Sequence, residues 1–216
     1  MVLNGCQRIG HGGASALARA NTLASFDAAL EVGVDMIEFD LRACRGELLL
    51  AHTAFHARLP GSLRLHDALK HLSSSRFDGI ELNVDLKHRG CEAPLLAELR
   101  SARLLERTLI SSQVPAVLDF VRALDPQARL GISVAGRLSR MRKWSDWRAQ
   151  VLAGLAARRW DALMAQHRLI DRSLLAEVAA RSGLLYAWTV NERIAIDRLR
   201  ALGVHGITTA DPRLFA

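Results

Sequence analysis

Only three cysteines stand in 216 residues, at positions 6, 44 and 91. The number is odd and the spacing wide, which excludes the paired ligands of a structural zinc site and the density of a disulfide scaffold. Reduced, mostly buried thiols are expected. No apolar stretch approaches the roughly 20 residues that span a bilayer, so no stable membrane anchor is expected. The opening MVLNGCQRIGHGG lacks the basic flank and apolar run of a secretion signal, and a cytoplasmic location is the expectation. Low-complexity segments, long linkers and exact repeats are missing too. With half the residues hydrophobic, the length suits one domain over residues 1–216. The Gly-x-Gly-x-x-Gly turn of a dinucleotide-binding sheet is also absent, since the glycines of GHGGASALARAN have the wrong spacing.

The net charge is +7 and the isoelectric point about 10.3. Clustered cations supply most non-specific affinity for nucleic acid, and clustering matters more than the total. Here the arginines are spread over nearly every segment, with one concentration, GRLSRMRKWSDW from Gly136. No nucleic-acid partner is expected. A small anionic substrate steered by the positive field, or plain solvated surface, accounts for the excess. In the Gly136 segment, Arg140, Arg142 and Lys143 could draw in anions while Trp144 and Trp147 stack on a cationic head group. The competing reading is a helix start with its apolar residues turned inward.

Strand-like runs alternate with amphipathic helical ones throughout. Strands are expected at QRIG near 7, MIEFDL at 36, IELNVDL at 80, TLIS at 108, RLGISV at 129, ALMAQ at 162, LLYAWTV at 184 and GITT at 206. Helices fall between them, and Gly33, Gly183 and Gly203 suit left-handed C-terminal caps. Eight strands alternating with helices, at about 27 residues per unit, match an α/β fold of the compact TIM (β/α)8 barrel type. A doubly wound open sheet is the competitor. One segment is irregular: CRGELLLAHTAFHARLPG reads as a short extra strand leading to His52 and then a loop.

Two strands carry rows of ionisable groups. Successive side chains of a strand face opposite ways, so Glu38, Asp40 and Arg42 oppose Ile37, Phe39 and Leu41. Likewise Glu81, Asn83, Asp85 and Lys87 oppose Ile80, Leu82, Val84 and Leu86. Barrel strands are apolar on both faces as a rule, and buried charge is costly unless paired or bound to a metal. Glu38 and Asp40 lie roughly 7 Å apart between α-carbons, and Asp85 on the next strand can reach the same spot. Three carboxylates without cysteine or clustered histidine describe a site for one hard divalent cation, magnesium or calcium. Lys87, two residues beyond Asp85, could neutralise these acids or hold a phosphate oxygen. His11, after the first strand, and His52, after the irregular segment, both belong at the barrel mouth where catalytic groups of this fold collect. As a pair they suit removal of a proton by one imidazole and donation by the other.

These residues resemble a known family. GHGG…ANTLASFDAALEVGVDMIEFDLRACRGELLLAHT resembles the N-terminal signature of glycerophosphodiester phosphodiesterases: His-Arg-Gly, Glu-Asn-Thr, Glu-x-Asp and His-Asp. LNVDLK is similar to that family's Leu-Asn-x-Glu-x-Lys strand. The tail WTVNERIAIDRLRALGVHGITTADP is similar to its closing Trp-Thr-Val-Asn and Gly-Val-x-Gly-Ile-x-Thr-x-x-Pro segment. The resemblance covers residues 11–52, 80–87 and 188–212. It implies a barrel with one divalent metal that hydrolyses glycerophosphodiesters, small-molecule substrates of lipid metabolism, to glycerol 3-phosphate and an alcohol. It also implies His11 and His52 as the acid/base pair, Glu38, Asp40 and Asp85 as metal ligands, Lys87 on phosphate and Trp188 on the pocket wall. The alternative for Trp188 is a core aromatic of the barrel.

The sequence departs from the pattern at four points. Gly12 stands where Arg is usual, Ala20 where Glu is, Thr53 where Asp is, and Asp85 where Glu is. The first three remove a cation near phosphate, a carboxylate beside the metal region and the expected orienting partner of His52. Asp85 is shorter by one methylene, near 1.5 Å. Losing the phosphate-holding Arg costs on the order of 2 kcal/mol, which Arg42, Arg58 or Arg89 could offset. The competing expectation is a family member that binds phosphodiesters or phosphate without efficient turnover.

Overall fold

The computed structural model describes residues 5–135 and 144–216. Eight of the nine described strands are parallel and close on themselves: β1 (Gln7–His11), β2 (Met36–Cys44), β4 (Glu81–Leu86), β5 (Thr108–Ser112), β6 (Arg129–Val134), β7 (Ala162–Gln166), β8 (Leu184–Trp188) and β9 (Gly206–Thr209). Pairing of β1 with both β2 and β9 closes the ring, so the expected barrel is present and the open sheet is not. The ninth, β3 (Glu47–Leu50), folds back antiparallel on the end of β2. It is the extra strand expected before His52. The loop expected next begins instead with one helical turn, α2 (Ala54–Ala57), whose first amide groups are capped by Thr53 accepting from His56 N at 3.1 Å.

Helices α1 (Leu23–Val32), α3 (Leu65–Leu72), α4 (Glu92–Ser101), α5 (Pro115–Leu124), α6 (Trp144–Ala156), α7 (Arg172–Ala179) and α8 (Arg193–Leu202) are the others. None of the described helices is long and apolar enough to cross a membrane. Thr22 opens α1 with a capping box completed by Ser25. Gly33 and Gly203 close α1 and α8 at φ 83° and 91°, the left-handed caps expected. Gly183 is not a cap. The left-handed residue after α7 is Ser182, at φ 54°, and Gly183 is small for another reason: a Cβ there would lie 3.0 Å from Leu155 Cδ2. Trp147 packs partly buried against the core at the start of α6, whereas Arg140, Arg142 and Lys143 of the basic segment fall outside the described residues.

Strand alternation divides the protein into an outer core and a barrel interior. Ile37, Phe39 and Leu41 of β2 and Leu82, Val84 and Leu86 of β4 face outward into the helix layer, where the Phe39 ring meets Phe26 of α1 at 5.7 Å. The opposite faces point inward. Midway along the interior, Ile9, Met36, Leu109, Ala162, Met164 and Tyr186 form a compact apolar layer. Below it lie the first residues of three strands. Arg129 pairs with Glu81 at 2.9 Å, and Gln7 Oε1 accepts from the Tyr186 hydroxyl at 3.1 Å. Burial pushes the Tyr186 phenol up to about 12, so it stays protonated. This satisfied polar floor and the apolar layer above it close the N-terminal end and leave the C-terminal end for the site.

Gly206 fits the floor because the Tyr186 ring occupies the space a side chain would need, with a Cβ there only 2.7 Å from Tyr186 Cδ1. A methyl group in a filled core costs about 1–3 kcal/mol through displaced neighbours. Gly206→Ala is therefore expected to lower unfolding stability by about that amount in urea titrations. An unchanged midpoint would show that the floor yields freely.

Candidate active site

Parallel register decides which inward side chains meet. Across β1 and β2, His11 is level with Glu38. Across β2 and β4, Glu38 is level with Asn83 and Asp40 with Asp85; across β4 and β5, Asp85 is level with Ser111. Neighbouring strands are about 4.8 Å apart, so same-face residues at one level are adjacent. Glu38, Asp40 and Asp85 accordingly bring one carboxylate oxygen each within 4.8 Å of one another, and all three residues are buried. The shorter Asp85 thus reaches the cluster.

Backbone and side-chain donors hold each acid. The consecutive glycines 12 and 13, at φ 57° and 83°, turn the chain after β1 so that Gly12 N donates to Glu38 Oε2 at 2.9 Å and Gly13 N to the Glu38 carbonyl at 3.1 Å. Asn21, at φ 61°, donates from Nδ2 to Asp40 Oδ2 at 2.9 Å and accepts from Asp40 N at 3.0 Å. Ser111 Oγ donates to Asp85 Oδ1 at 3.0 Å and receives Asn83 Nδ2 at 3.0 Å. Lys87 extends its ammonium between Asp40 and Asp85 and pairs with both.

The electrostatics follow from burial and these partners. Burial pushes the Glu38 carboxyl well above its ordinary range, and the Asp40 charge adds to the push. Burial acts the same way on Asp40 but is outweighed by His52, Lys87 and Asn21, so Asp40 lies below the usual carboxylate range. Burial would lower Lys87, yet the charges of Asp85, Asp40 and Glu38 raise it. His11 is lowered chiefly by burial, against the pull of Asp40. One lysine facing three acids leaves negative charge in excess. Hard oxygen donors, close together and under-compensated, fit a divalent cation such as magnesium or calcium.

His52 is oriented by a residue the sequence did not single out for that task. Its Nδ1 lies 3.2 Å from Asp40 Oδ1. A carboxylate only accepts, so Nδ1 carries the proton and Nε2 is the nitrogen free for exchange. Thr53 does not leave His52 unheld, as its departure from the family pattern implied; it caps α2 and bonds His56 Nδ1 at 3.0 Å. His11, Glu38, His52, Asp85, Lys87 and Trp188 all line one cavity of about 250 Å³. Trp188 serves both alternatives raised for it. Its indole packs against the interior apolar layer, Nε1 donates to the Met164 carbonyl at 2.8 Å, and the ring walls the cavity.

Neither Arg42, Arg58 nor Arg89 lines this cavity, so none takes the place of the missing Arg there. Gly12 and Ala20, two of the departures, prove to be neighbours: a Cβ on Gly12 would lie 2.9 Å from Ala20 Cβ. Sequence reasoning gave no role to Asn21 or Ser111. Asn21 carried a signal, because asparagine tolerates the left-handed region and stands just before the Thr22 cap. Ser111 carried none, since only register makes it a partner of Asp85.

A model described as the glycerophosphoryl diester phosphodiesterase family matches residues 11–62 and 63–214. Glycerophosphodiester phosphodiesterase GDPD4 of Arabidopsis thaliana is 26% identical over 234 residues, spanning 95% of this chain and 70% of the plant protein. Among solved structures, a protein of Silicibacter pomeroyi DSS-3 provisionally named a glycerophosphoryl diester phosphodiesterase superposes with a TM-score of 0.83 at 21% identity, covering 98% of this chain and 92% of its own. An Oleispira antarctica phosphodiesterase in complex with the product sn-glycerol-3-phosphate gives 0.74 at 20% identity, covering 97% and 94%. At such identities the structural likeness establishes the barrel fold.

Proposed function

The chain belongs to the glycerophosphoryl diester phosphodiesterase family, and from that premise we propose that it hydrolyses glycerophosphodiesters to glycerol 3-phosphate and an alcohol. The observation that carries the proposal is the level pairing of His11 with Glu38 and of Asp40 with Asp85, with His52 held on Asp40. The product bound by the Oleispira antarctica phosphodiesterase, on the same fold, supports the choice of substrate class.

Glu38, Asp40 and Asp85 would hold one divalent cation. When bound, such an ion would supply positive charge that offsets the phosphate charge and stabilises the charge developing in the transition state. Lys87, fixed between Asp40 and Asp85 and lining the cavity, places its ammonium toward a phosphate oxygen. Trp188 forms the wall against glycerol or the head group. His11, kept neutral by burial, takes the proton of the attacking oxygen. His52 donates a proton from Nε2 to the departing alcohol and keeps its Nδ1–H hydrogen-bonded to Asp40, which holds the ring in place throughout. The departures at Gly12 and Ala20 remove side chains from one spot and leave His11 and His52 in place. That favours weaker substrate binding over lost chemistry.

Purified protein is expected to release glycerol 3-phosphate from glycerophosphocholine with magnesium or calcium, and to stop with chelator. Absence of turnover across several diesters, in folded protein, would favour binding without hydrolysis. The pH profile supplies a sharper check. A base is active when neutral, and its neutral form is lost as the pH falls through its pKa. Because burial lowers the His11 value from 6.5, the acid limb of kcat/KM is expected below pH 6.5. His11→Gln should abolish that limb together with most turnover. A limb above pH 6.5 would contradict the assignment.

A further inference from the structure

Ten arginines among the described residues are held by an Asp or Glu partner. Arg42, Arg45 and Arg58 belong to the thirteen described arginines without such an ion pair, and what sets them apart is that they converge. Together with His88 they line one depression of about 560 Å³, and no carboxylate shares its lining. The three come from separate places: the end of β2, the turn into β3, and the residue closing α2. Like charges gathered in one concavity repel each other, and guanidinium forks match the oxygens of phosphate in pairs.

Two links join the lining of the depression to that of the catalytic cavity. Arg42 Nε donates to the His52 carbonyl at 3.1 Å, and His88 directly follows Lys87; His52 and Lys87 both line the cavity. His52 is the proton donor to the departing alcohol in the reading above, so the basic depression lies on the leaving-group side. We propose that it is a subsite for a phosphate group carried by the leaving alcohol, which makes diesters with an anionic head group the preferred substrates. The proposal rests on the diesterase reading for its substrate, while the anion site itself rests on the depression.

The test uses R45S/R58S, because both arginines are exposed and outside the catalytic machinery, with a matching melting temperature as the folding control. It compares kcat/KM for glycerophosphocholine and for a glycerophosphodiester whose alcohol bears a second phosphate. Calorimetric binding of inorganic pyrophosphate in chelator, and sedimentation with phosphatidylglycerol or phosphatidylcholine vesicles, run alongside. Wild type is expected to favour the phosphate-bearing diester by about tenfold or more, the worth of a charged hydrogen bond. The variant should lose that preference, keep its rate on glycerophosphocholine within about twofold, and bind pyrophosphate about tenfold more weakly. If neither protein turns over but pyrophosphate binding still depends on the pair, the diesterase reading fails and the anion site stands. If the pair matters only for phosphatidylglycerol vesicles, the depression binds lipid head groups and the leaving-group subsite is overturned. Indifference to the substitutions in every arm overturns the proposal.

Discussion

His52→Gln is expected to lower kcat for glycerophosphocholine by about two to four orders of magnitude, the usual share of a positioned acid or base. Glutamine can still donate to Asp40 Oδ1, where His52 Nδ1 now sits at 3.2 Å, so the carboxylate keeps a partner and KM should change little. What glutamine lacks is a proton to give. The loss should therefore depend on the leaving group. With a para-nitrophenyl ester of glycerol phosphate, whose phenolate departs without protonation, most of the rate should return. His11→Gln should stay slow with both substrates, since the attacking oxygen must lose its proton in either case. Equal losses on both substrates for His52→Gln would move that residue from acid to another task.

Lys87→Met should be the most destabilising single change in the site. The ammonium is largely buried between Asp40 and Asp85, and methionine replaces its volume but not its charge. Removing one member of a buried ion pair typically costs about 3–5 kcal/mol, because the remaining charges are left uncompensated. Here three carboxylates remain, and Glu38 already resists ionisation through burial and the Asp40 charge. The pH dependence has a definite sign. In the wild type, Asp40 lies below its ordinary value despite burial, through His52, Lys87 and Asn21. That contribution to stability is present above the ordinary carboxylate range and lost as the pH falls through the lowered value. In the variant the Lys87 part of it is gone, so the deficit should be greatest near and above neutrality and shrink as acid protonates the cluster. A divalent cation at about 100 times its dissociation constant should restore about 2.7 kcal/mol. Urea titrations in chelator and in magnesium measure both effects. A variant as stable as wild type in chelator at neutral pH would mean the acids do not repel each other as described.

The sequence showed the barrel because each strand and helix has a local signature. Period-2 alternation in MIEFDL and IELNVDL also put Glu38, Asp40 and Asp85 on inward faces. Their meeting needed only that β2 and β4 be parallel neighbours. What stayed hidden depends on register or on contacts distant in the chain. Ser111 becomes a partner of Asp85 through one level of β5. Asp40 replaces the residue after His52 as its orienting group, a pairing across 12 positions that no local pattern encodes. Gly183 resembled a cap at the end of a helical run, but its size answers to Leu155 and Val178, and glycine of either kind reads alike in sequence. The convergence of Arg42, Arg45 and Arg58 was equally unreadable, because it requires β3 to fold back on β2.

Calorimetric titration of metal-free protein with magnesium or calcium, repeated on D40N/D85N, reaches the central claim most directly. The account predicts one cation per chain, proton release on binding as Glu38 ionises, and loss of both signals in the double variant. Binding of equal strength and stoichiometry in wild type and D40N/D85N, or none in the wild type, would contradict it.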